Sequence, residues 1–577
     1  MNGTRRSLLV LVLAAALAAC TDEGPRRSLL IVTMDTTRAD ALSLYGTNPT
    51  PALARLGAEG VVFDHAYTAI PITLPSHSTL FTGLYPLRHG VRDNGRNPLS
   101  GEAHTLAEVA HEAGYQTAAF LGAMVLDPTF GLDQGFERYD VPAPTPGAKP
   151  ASVDGAERPA REVVDGALAW LAARDRSRPW LLWVHVFDAH SPYAPPPGFE
   201  GTTSRARYDG EVRSADHELA RLFDALRVDG TLDSTLVIVA GDHGEGFGEH
   251  GELGHSVHCY ESTLHVPLVV RAPFWERLAP GSRSQELVGL VDLVPTVCDA
   301  LGLDPPGALD GQSFWNTAVA STRGLYFESY YGYLNFGWSP LAGWIDEHGK
   351  YVHASEPRYF DPRADPGEER DLSGARAADV KRAQVAIARL AEEPKLAAGA
   401  SRATEEDLAA LRGLGYVAIG GGATGLPHPL ADTGMPAPEA MGASYERALQ
   451  ALELGNRGEL AEAERILREV LAENPENPFL LDHLAALLVQ RGALPEAEEV
   501  LRRLLAIEHA VTPGAWFRLG HCLEGQGRVD EAIEALRAGL VLDPARASQR
   551  EDLVRLLRSR GREPEAAEAE RAAPRPP

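Results

Sequence analysis

Residues 28–35 read Ser-Leu-Leu-Ile-Val-Thr-Met-Asp, and residues 235–245 read Thr-Leu-Val-Ile-Val-Ala-Gly-Asp-His-Gly-Glu. Each stretch is a nearly continuous apolar run, which is typical of a strand buried on both faces of a parallel sheet. Similar runs predict four further strands, at residues 117–122, 180–187, 267–271 and 324–328. Amphipathic patterns predict helices at residues 161–174 and 211–227. Strands that alternate with helices predict an α/β domain over residues 28–375.

Both quoted stretches end in polar side chains that can bind a cation. Asp35 follows the first apolar run, and Asp242 and His243 follow the second. Ligands of parallel α/β sheets sit at the carboxyl ends of the strands, and two carboxylates with an imidazole suit a hard or borderline cation. Two plainer interpretations stay open, namely Asp35 as a helix N-cap and Asp242-His243 as a polar loop.

A third segment, residues 73–83, reads Thr-Leu-Pro-Ser-His-Ser-Thr-Leu-Phe-Thr-Gly. A Thr with Pro two residues later and an apolar run behind it predicts that a helix begins at Thr73. Helix N-termini present free N–H groups and partial positive charge, so they bind phosphate or sulfate oxygens. A hydroxyl at this place would lie beside the anion that it attacks. The plainer interpretation is that Thr73 only caps the helix.

These motifs resemble those of the sulfatase family of the alkaline-phosphatase superfamily. Asp35-Thr-Thr-Arg-Ala-Asp resembles the first metal motif of that family, residues 73–90 resemble its nucleophile signature, and residues 241–245 resemble its second metal motif. The resemblance implies a sheet flanked by helices. It also implies a four-ligand site for one divalent cation (Mn, Zn, Mg or Ca), formed by Asp35, Asp242, His243 and Thr73, with Thr73 also the nucleophile.

The same resemblance implies roles for three more side chains. His190 matches a family histidine that contacts the substrate anion, and His255 has the spacing from Asp242 that phosphoethanolamine transferases show. Either histidine would stabilise charge or protonate the leaving group; a structural loop histidine is the plainer interpretation of each. Asn94 lies where related phosphodiesterases place an oxyanion-binding Asn.

Departures from the family pattern decide the predicted substrate. Sulfatases carry Cys or Ser in the pattern C/S-x-P-x-R and oxidise it to formylglycine. This chain has Thr73, whose oxidation would give a ketone, and His77 in place of the Arg; no Lys occurs between Lys149 and Lys350. We therefore predict hydrolysis of a phosphate mono- or diester. The alternatives are a sulfate ester hydrolase without formylglycine, a phosphoglycerol- or phosphoethanolamine-type transferase, and a non-enzymatic repeat-domain receptor.

The C-terminal part of the chain repeats itself. Gly458, Gly492, Gly527 and Gly561 are spaced by 34, 35 and 34 residues, and Ala463, Ala497, Ala532 and Ala566 keep the same spacing. This pattern resembles tetratricopeptide repeats, whose period is 34 residues. It predicts an all-α solenoid over residues 441–570 that binds a protein or peptide partner. Residues 376–440 are predicted to form a helical extension and a Gly/Pro-rich linker, across which we expect few contacts.

The first twenty residues resemble the signal peptide of a bacterial lipoprotein. Arg5 and Arg6 precede an apolar run, residues 8–19, that is too short to span a bilayer. The run ends at Cys20 in a sequence that resembles a lipobox, which implies lipidation of Cys20 and an extracytoplasmic, membrane-anchored protein of the cell envelope. A plain secretory signal and an uncleaved anchor remain alternatives, and the Arg pair also resembles a twin-arginine signal.

Composition excludes two broad classes of protein. The 577 residues include 44% hydrophobic and 23% charged side chains, which is ordinary for a globular protein and excludes global disorder. The net charge is −26, with 54 Lys and Arg against 80 Asp and Glu. A surface this acidic repels phosphate backbones, so nucleic-acid binding is excluded as the main role.

Overall fold

The structure, a computed structural model, describes residues 27–95, 97–142, 157–397, 399, 425–507, 510–544 and 546–572. Cys20 and the predicted signal peptide lie outside these residues. The strands are β1 (Ser28–Met34), β2 (Val61–Tyr67), β3 (Gln116–Leu121), β4 (Arg138–Asp140), β5 (Trp180–Val186), β6 (Thr235–Gly241), β7 (Gly246–Phe247), β8 (Leu253–Gly254), β9 (Leu268–Arg271), β10 (Ser282–Gly289), β11 (Leu325–Ser329), β12 (Leu341–Asp346), β13 (Gly349–His353) and β14 (Arg358–Phe360).

An eight-stranded sheet forms the centre of the N-terminal domain. Its strand order is β10-β2-β9-β6-β1-β5-β3-β4. The strand β9 is antiparallel to both of its neighbours, and every other pair is parallel. The two apolar runs quoted first are the adjacent central strands β1 and β6. They are buried along their whole length, which explains why they lack polar alternation.

Helices cover both faces of this sheet. The helices of the N-terminal part of the chain are α1 (Pro51–Glu59), α2 (Thr73–Thr82), α3 (Pro86–His89), α4 (Leu106–Glu112), α5 (Ala160–Ala173), α6 (Ser204–Val228), α7 (Glu261–Leu264), α8 (Leu293–Leu301), α9 (Tyr331–Phe336) and α10 (Ala377–Ala391). Of these, α10 packs on the smaller sheet of β11–β14 and α9 packs on the C-terminal helices. Leu29 and Ile31 of β1 share one apolar cluster with α2, α4 and α8, whereas Leu30 and Val32 share another with α1, α5 and α6. The predicted α/β class is thereby confirmed.

The structure has eight strands that the apolar runs do not predict, β2 and β10 among them, and one predicted strand lies outside the main sheet. The run at residues 324–328 does form a strand, β11, but β11 belongs to a separate antiparallel sheet of order β11-β12-β13-β14. The strands β2 and β10 were missed, because Asp64 and His65 interrupt the apolar pattern of β2 and only part of β10 is buried. Tertiary pairing, not local pattern, makes strands of these segments.

Eight helices follow in the C-terminal part of the described chain. They are α11 (Gly442–Asn456), α12 (Leu460–Glu473), α13 (Pro478–Gln490), α14 (Leu494–Leu505), α15 (Pro513–Gly525), α16 (Val529–Leu542), α17 (Ala547–Ser559) and α18 (Glu563–Arg571). The four periodic glycines lie in the turns within helix pairs and have φ between 70° and 82°, a region that favours Gly. The four periodic alanines are fully buried. The predicted solenoid is confirmed.

The repeat helices pack directly on the N-terminal domain. Phe336 of α9 contacts Tyr445 and Phe479, with ring centroids 5.2 and 5.3 Å away, and the Asn474 Nδ2 donates to the Phe336 carbonyl at 2.6 Å. One apolar cluster joins Ile70, Ile72 and Val257 to the cores of the repeats. The expectation of few contacts across residues 420–440 is therefore wrong: apolar surface on both sides is buried at this junction.

Residues just before the repeats also contact the N-terminal domain. The Ser339 N–H donates to the Pro436 carbonyl at 2.8 Å, and the Tyr330 hydroxyl donates to the Pro427 carbonyl at 3.0 Å. This part of the predicted linker is thus attached to the domain surface.

Cys259, Cys298 and Cys522 are free and buried, as expected for small apolar side chains. Within the described residues, every helix is too short or too polar to cross a membrane.

Candidate active site

The acidic side chains predicted at two strand ends lie side by side. Asp35 follows Met34 of β1, and Asp242 follows Gly241 of β6; these two preceding residues are partners in the parallel register. Ligand atoms of Asp35, Asp242 and His243 all lie within 4.8 Å of one another, and the three side chains are fully buried. The interpretation of Asp35 and Asp242-His243 as an isolated cap and a polar loop is therefore excluded.

Thr73 completes this group from a different element. It is the first residue of α2 and is fully buried, and its Oγ1 lies 3.3 Å from His243 Nε2. Ile72, not Thr73, occupies the N-cap position. The hydroxyl therefore faces the cluster instead of capping the helix. Asn94 lies at the same helix start, where its Oδ1 accepts from the Leu74 N–H at 3.0 Å.

The donor set fits a divalent cation. The Oδ1 of Asp35 and the Oδ2 of Asp242 are buried with no hydrogen-bond partner, and the Oδ2 of Asp35 has only His185 Nε2 nearby, at 3.2 Å. Buried carboxylates with so few partners are costly unless a cation pairs with them. The other oxygen, Asp242 Oδ1, accepts from the N–H groups of Thr36 and His243 at 3.1 and 2.8 Å. Burial raises the pKa of Asp35, and burial together with the nearby Asp35 charge raises the pKa of Asp242.

His243 has the tautomer that a metal ligand needs. Its Nδ1 lies 3.0 Å from the Gly244 carbonyl, which can only accept a hydrogen bond. The proton therefore sits on Nδ1, and Nε2 directs its lone pair toward the two carboxylates, at 3.8 Å from Asp35 and 3.6 Å from Asp242. Burial lowers the pKa of His243, which favours the neutral ring.

The two histidines assigned to the substrate lie next to this cluster. The His255 ring centroid is 4.4 Å from that of His243 and 5.4 Å from that of His190. Burial opposes a charge on His255, but the Glu245 carboxylate at 3.1 Å outweighs it and raises the pKa of His255. Burial lowers the pKa of His190, whose ring stacks on Phe187 with centroids 4.4 Å apart. The site thus pairs one imidazole that favours the charged form with one that favours the neutral form.

Three other histidines of the same region are held elsewhere. His250 stacks on Tyr260 and its Nε2 contacts the Gly367 carbonyl, His265 contacts the Asp64 carbonyl, and His258 lies against the Tyr260 ring. In the sequence only the spacing from Asp242 distinguished His255 from these residues; the path of the chain after β6 is what brings the His255 ring, and not theirs, to His243.

Sequence reasoning missed a buried polar network beneath Thr73. His77 Nδ1 donates to the Thr73 carbonyl at 2.8 Å, and His77 Nε2 lies 3.0 Å from Thr33 Oγ1. His185 Nδ1 lies 3.0 Å from the same hydroxyl, and Trp183 Nε1 donates to it at 2.9 Å. His77 replaces the Arg of the family pattern, so this network links the backbone of the nucleophile to β1 and β5 without a permanent charge.

Comparisons with known proteins agree with this geometry. A family model described as Sulfatase matches residues 27–303, and one described as N-sulphoglucosamine sulphohydrolase, C-terminal, matches residues 248–384. Two models described as tetratricopeptide repeat match residues 457–511 and 513–546. The motifs of the cation site therefore lie inside the sulfatase match, and the periodic glycines lie in or beside the repeat matches.

Relatives come from more than one branch of the superfamily. The chain is 24% identical over 458 residues to arylsulfatase K of Xenopus laevis, an alignment that covers 65% of this chain and 84% of that protein. It is 26% identical over 475 residues to the multifunctional alkaline phosphatase superfamily protein PehA of Trinickia caryophylli. This alignment covers 60% of this chain and 91% of that protein. The phosphonate monoester hydrolase of Agrobacterium radiobacter shares the fold, with a TM-score of 0.54 and 24% identity. The superposition covers 63% of this chain and 95% of that chain.

The fold, the buried cluster at the ends of β1 and β6 and the family matches point to one assignment. The chain carries a sulfatase domain that is homologous to hydrolases of the sulfatase and alkaline-phosphatase superfamily, which act on ester bonds, and it carries tetratricopeptide repeats at its C-terminal end.

Proposed function

We propose that this protein hydrolyses a phosphate mono- or diester with Thr73 as the nucleophile. The observation that carries the proposal is the convergence of the Thr73 hydroxyl, the neutral His243 and the fully buried carboxylates of Asp35 and Asp242. Thr cannot become formylglycine, which argues against the usual chemistry of sulfatases. PehA and the phosphonate monoester hydrolase support a phosphorus substrate, whereas arylsulfatase K supports a sulfate ester as the second candidate.

Asp35, Asp242, His243 and Thr73 would hold one divalent cation, whose ligand types suit Mn, Zn, Mg or Ca. When bound, the cation lowers the pKa of the coordinated Thr73 hydroxyl, so that its proton is lost to solvent near neutral pH. The network of His77 and Thr33 holds the carbonyl of Thr73 in place while its side chain reacts. Burial of the cluster excludes bulk water and strengthens these electrostatic interactions.

The proposed reaction has two halves. The Thr73 oxygen forms a bond to phosphorus, the bond to the leaving oxygen breaks with its electron pair on that oxygen, and His255 Nε2 supplies the proton. A water molecule then attacks the phospho-threonine, His255 takes back a proton from it, and the bond from phosphorus to Thr73 breaks. His190 and Asn94 would interact with the remaining phosphoryl oxygens. A transferase would use an acceptor alcohol instead of water.

An activity screen tests the proposal. The purified chain without residues 1–20, stripped of metal and then loaded with Mn, Zn, Mg or Ca, is assayed with 4-nitrophenyl phosphate, bis(4-nitrophenyl) phosphate and 4-nitrophenyl sulfate. We expect higher kcat/KM for a phosphate ester, loss of turnover in Thr73→Ala and partial activity in Thr73→Ser. Acid quenching followed by mass spectrometry is expected to find a phosphorylated Thr73 peptide. Sulfate hydrolysis that exceeds phosphate hydrolysis would favour the second candidate.

We also propose that the protein is anchored in the cell envelope through a lipid on Cys20 and that the repeats bind a protein or peptide. The sequence before Cys20 supports the anchor, and the repeat matches support the partner. Cys20→Ser should release the protein from membranes or block its processing. Unchanged mass and unchanged membrane fractionation of that variant would contradict lipidation.

A further inference from the structure

Glu245 is a buried carboxylate of the active site that does not belong to the group of candidate metal ligands. It lies two residues after His243 and is fully buried. Both of its carboxylate oxygens have a partner. The Oε1 lies 3.1 Å from His255 Nδ1, and the Oε2 accepts from the Tyr193 hydroxyl at 2.8 Å.

These two partners come from separate loops of the site. His255 directly follows β8, whereas Tyr193 belongs to the segment after β5 that also carries His190. The main chain of Glu245 is held as well, because its carbonyl accepts from Arg38 Nη1 at 2.8 Å. One carboxylate therefore connects the two loops whose imidazoles lie 5.4 Å apart above the cation site.

The hydrogen bonds of Glu245 fix the role of each nitrogen of His255. An ionised carboxylate can only accept, so His255 Nδ1 is the donor to Glu245 and Nε2 is the nitrogen left for the substrate. The ring that carries this nitrogen lies 4.4 Å from the His243 ring, and His243 in turn contacts the Thr73 hydroxyl. An imidazole oriented by a buried carboxylate is the arrangement that proton transfer to a leaving group requires.

We propose that Glu245 is a positioning residue that aims His255 Nε2 at the leaving oxygen of the substrate. This inference rests on the proposed function, in which His255 protonates the leaving oxygen as its bond to phosphorus breaks. It specifies the substrate class further: the site is built for esters of alcohols, whose alkoxides leave poorly without a proton, and not only for activated aryl esters.

The test compares two esters of one acid. In Glu245→Gln, the amide keeps the size of the side chain and can still contact His255 and Tyr193, but its charge is gone. We expect kcat/KM for benzyl phosphate to fall by about 100-fold and that for 4-nitrophenyl phosphate by about 3-fold. Tyr193→Phe is the matched control, because it removes the other partner of the same carboxylate; we expect it to lower both values by a similar, small factor. The bound cation is quantified in every variant and should not change.

Equal losses for the two esters, or the same ester dependence in Tyr193→Phe as in Glu245→Gln, would overturn the positioning role. A second measurement does not depend on turnover. With selective ¹⁵N labelling of histidine and His255→Gln for assignment, we expect the Nδ1–H signal of His255 in the wild type and its loss or shift in Glu245→Gln. No change in that signal would also overturn the inference. Thr73→Ala tests the proposed function separately, since it leaves the Glu245 contacts intact.

Discussion

The active site and the repeat array are built by opposite means. Asp35, Thr73 and Asp242 lie far apart in sequence and meet because β1 pairs with β6 and α2 packs over both. In the repeats, each helix packs mainly on its neighbours in the chain, with small residues such as Ala463 at the contacts. The first region concentrates buried charge that destabilises the fold, and the second consists of apolar packing that stabilises it.

The contacts at the junction show that the active site and the repeat array are not independent of each other. Ile72 immediately precedes the nucleophile, and it shares an apolar cluster with Phe336 of α9 and Phe479 of α13. A repeat array that were only a partner-binding module would leave such a surface exposed. The array instead covers apolar side chains that adjoin the catalytic residue, so it is part of the structure that supports the site.

Removal of the repeats should have the largest effect. A chain that ends at residue 429 exposes the side chains of Ile70, Ile72 and Phe336, and we expect it to be insoluble or inactive. The control is a chain that ends at residue 545, because the junction contacts to Tyr445, Asn474 and Phe479 all remain. Solubility, cation binding and turnover of a small ester are measured for both. A shorter chain with nearly full activity would restore the picture of two independent modules.

Asp242→Asn should weaken cation binding but stabilise the metal-free protein. We expect cation affinity to fall by at least about 100-fold, since a ligand and its charge are lost. We also expect the metal-free variant to melt at a higher temperature than the metal-free wild type, because Asp35 and Asp242 repel each other in a buried place. Asp530→Asn in the repeats, where the side chain is 64% exposed, should change neither property. Lower stability of metal-free Asp242→Asn would contradict the fit of the site to a cation.

Two matched substitutions test whether the junction communicates with the site. Phe336→Ala and Phe517→Ala each remove a buried ring, and each should reduce the free energy of unfolding by about 3–5 kcal/mol. Only Phe336→Ala should lower kcat as well, because Phe336 lies at the junction against Tyr445 and Phe479, whereas Phe517 belongs to the same cluster but lies in α15, within the repeats. Chemical unfolding and steady-state kinetics check both. Equal kcat in the two variants would limit the junction to a stabilising role.

The smallest predicted effect concerns pH. Burial raises the pKa of Glu252 to about 8, and this residue accepts from the N–H groups of Val257 and His258 in the loop that packs on the junction. The pKa of this carboxyl is higher in the folded chain than in the unfolded chain. The carboxyl therefore stabilises the fold at pH values below its unfolded pKa. This stabilisation is lost as the pH rises through its folded pKa. Glu252→Gln should therefore unfold like the wild type at pH 4 and be more stable by on the order of 2 kcal/mol at pH 8.5. Glu446→Gln, an exposed change on α11, is the control; equal stability of Glu252→Gln and wild type at pH 8.5 would contradict the prediction.

Much of the architecture was predictable from local pattern. The bounds of β1 coincide with the apolar run that ends at Met34, and α2 begins at Thr73 as predicted. Apolar runs and helix-start signals act over a few residues, so they can be recognised without knowledge of the fold. The strands β2 and β10 could not be recognised in this way, because their pairing partners lie far away in sequence and their side chains include polar residues.

The site itself was predictable in its members but not in its contacts. Asp35, Thr73, Asp242 and His243 were identified because strand ends and helix starts are visible in the sequence. Glu245 was noted only as part of a motif and His77 only as a departure from the family pattern. Their partners, His255, Tyr193 and Thr33, are brought to them by loops and strands whose positions no local signal specifies.

The sequence alone thus determined the fold class, the repeat array and the chemical character of the site, because each depends on patterns within about 35 residues. The tertiary structure alone decided that the His255 ring lies beside that of His243, that Glu245 contacts His255, and that the repeats cover the apolar surface beside Thr73. The physical reason is the same in each case. Burial of apolar surface and satisfaction of buried polar atoms are properties of residues that meet only after the chain has folded.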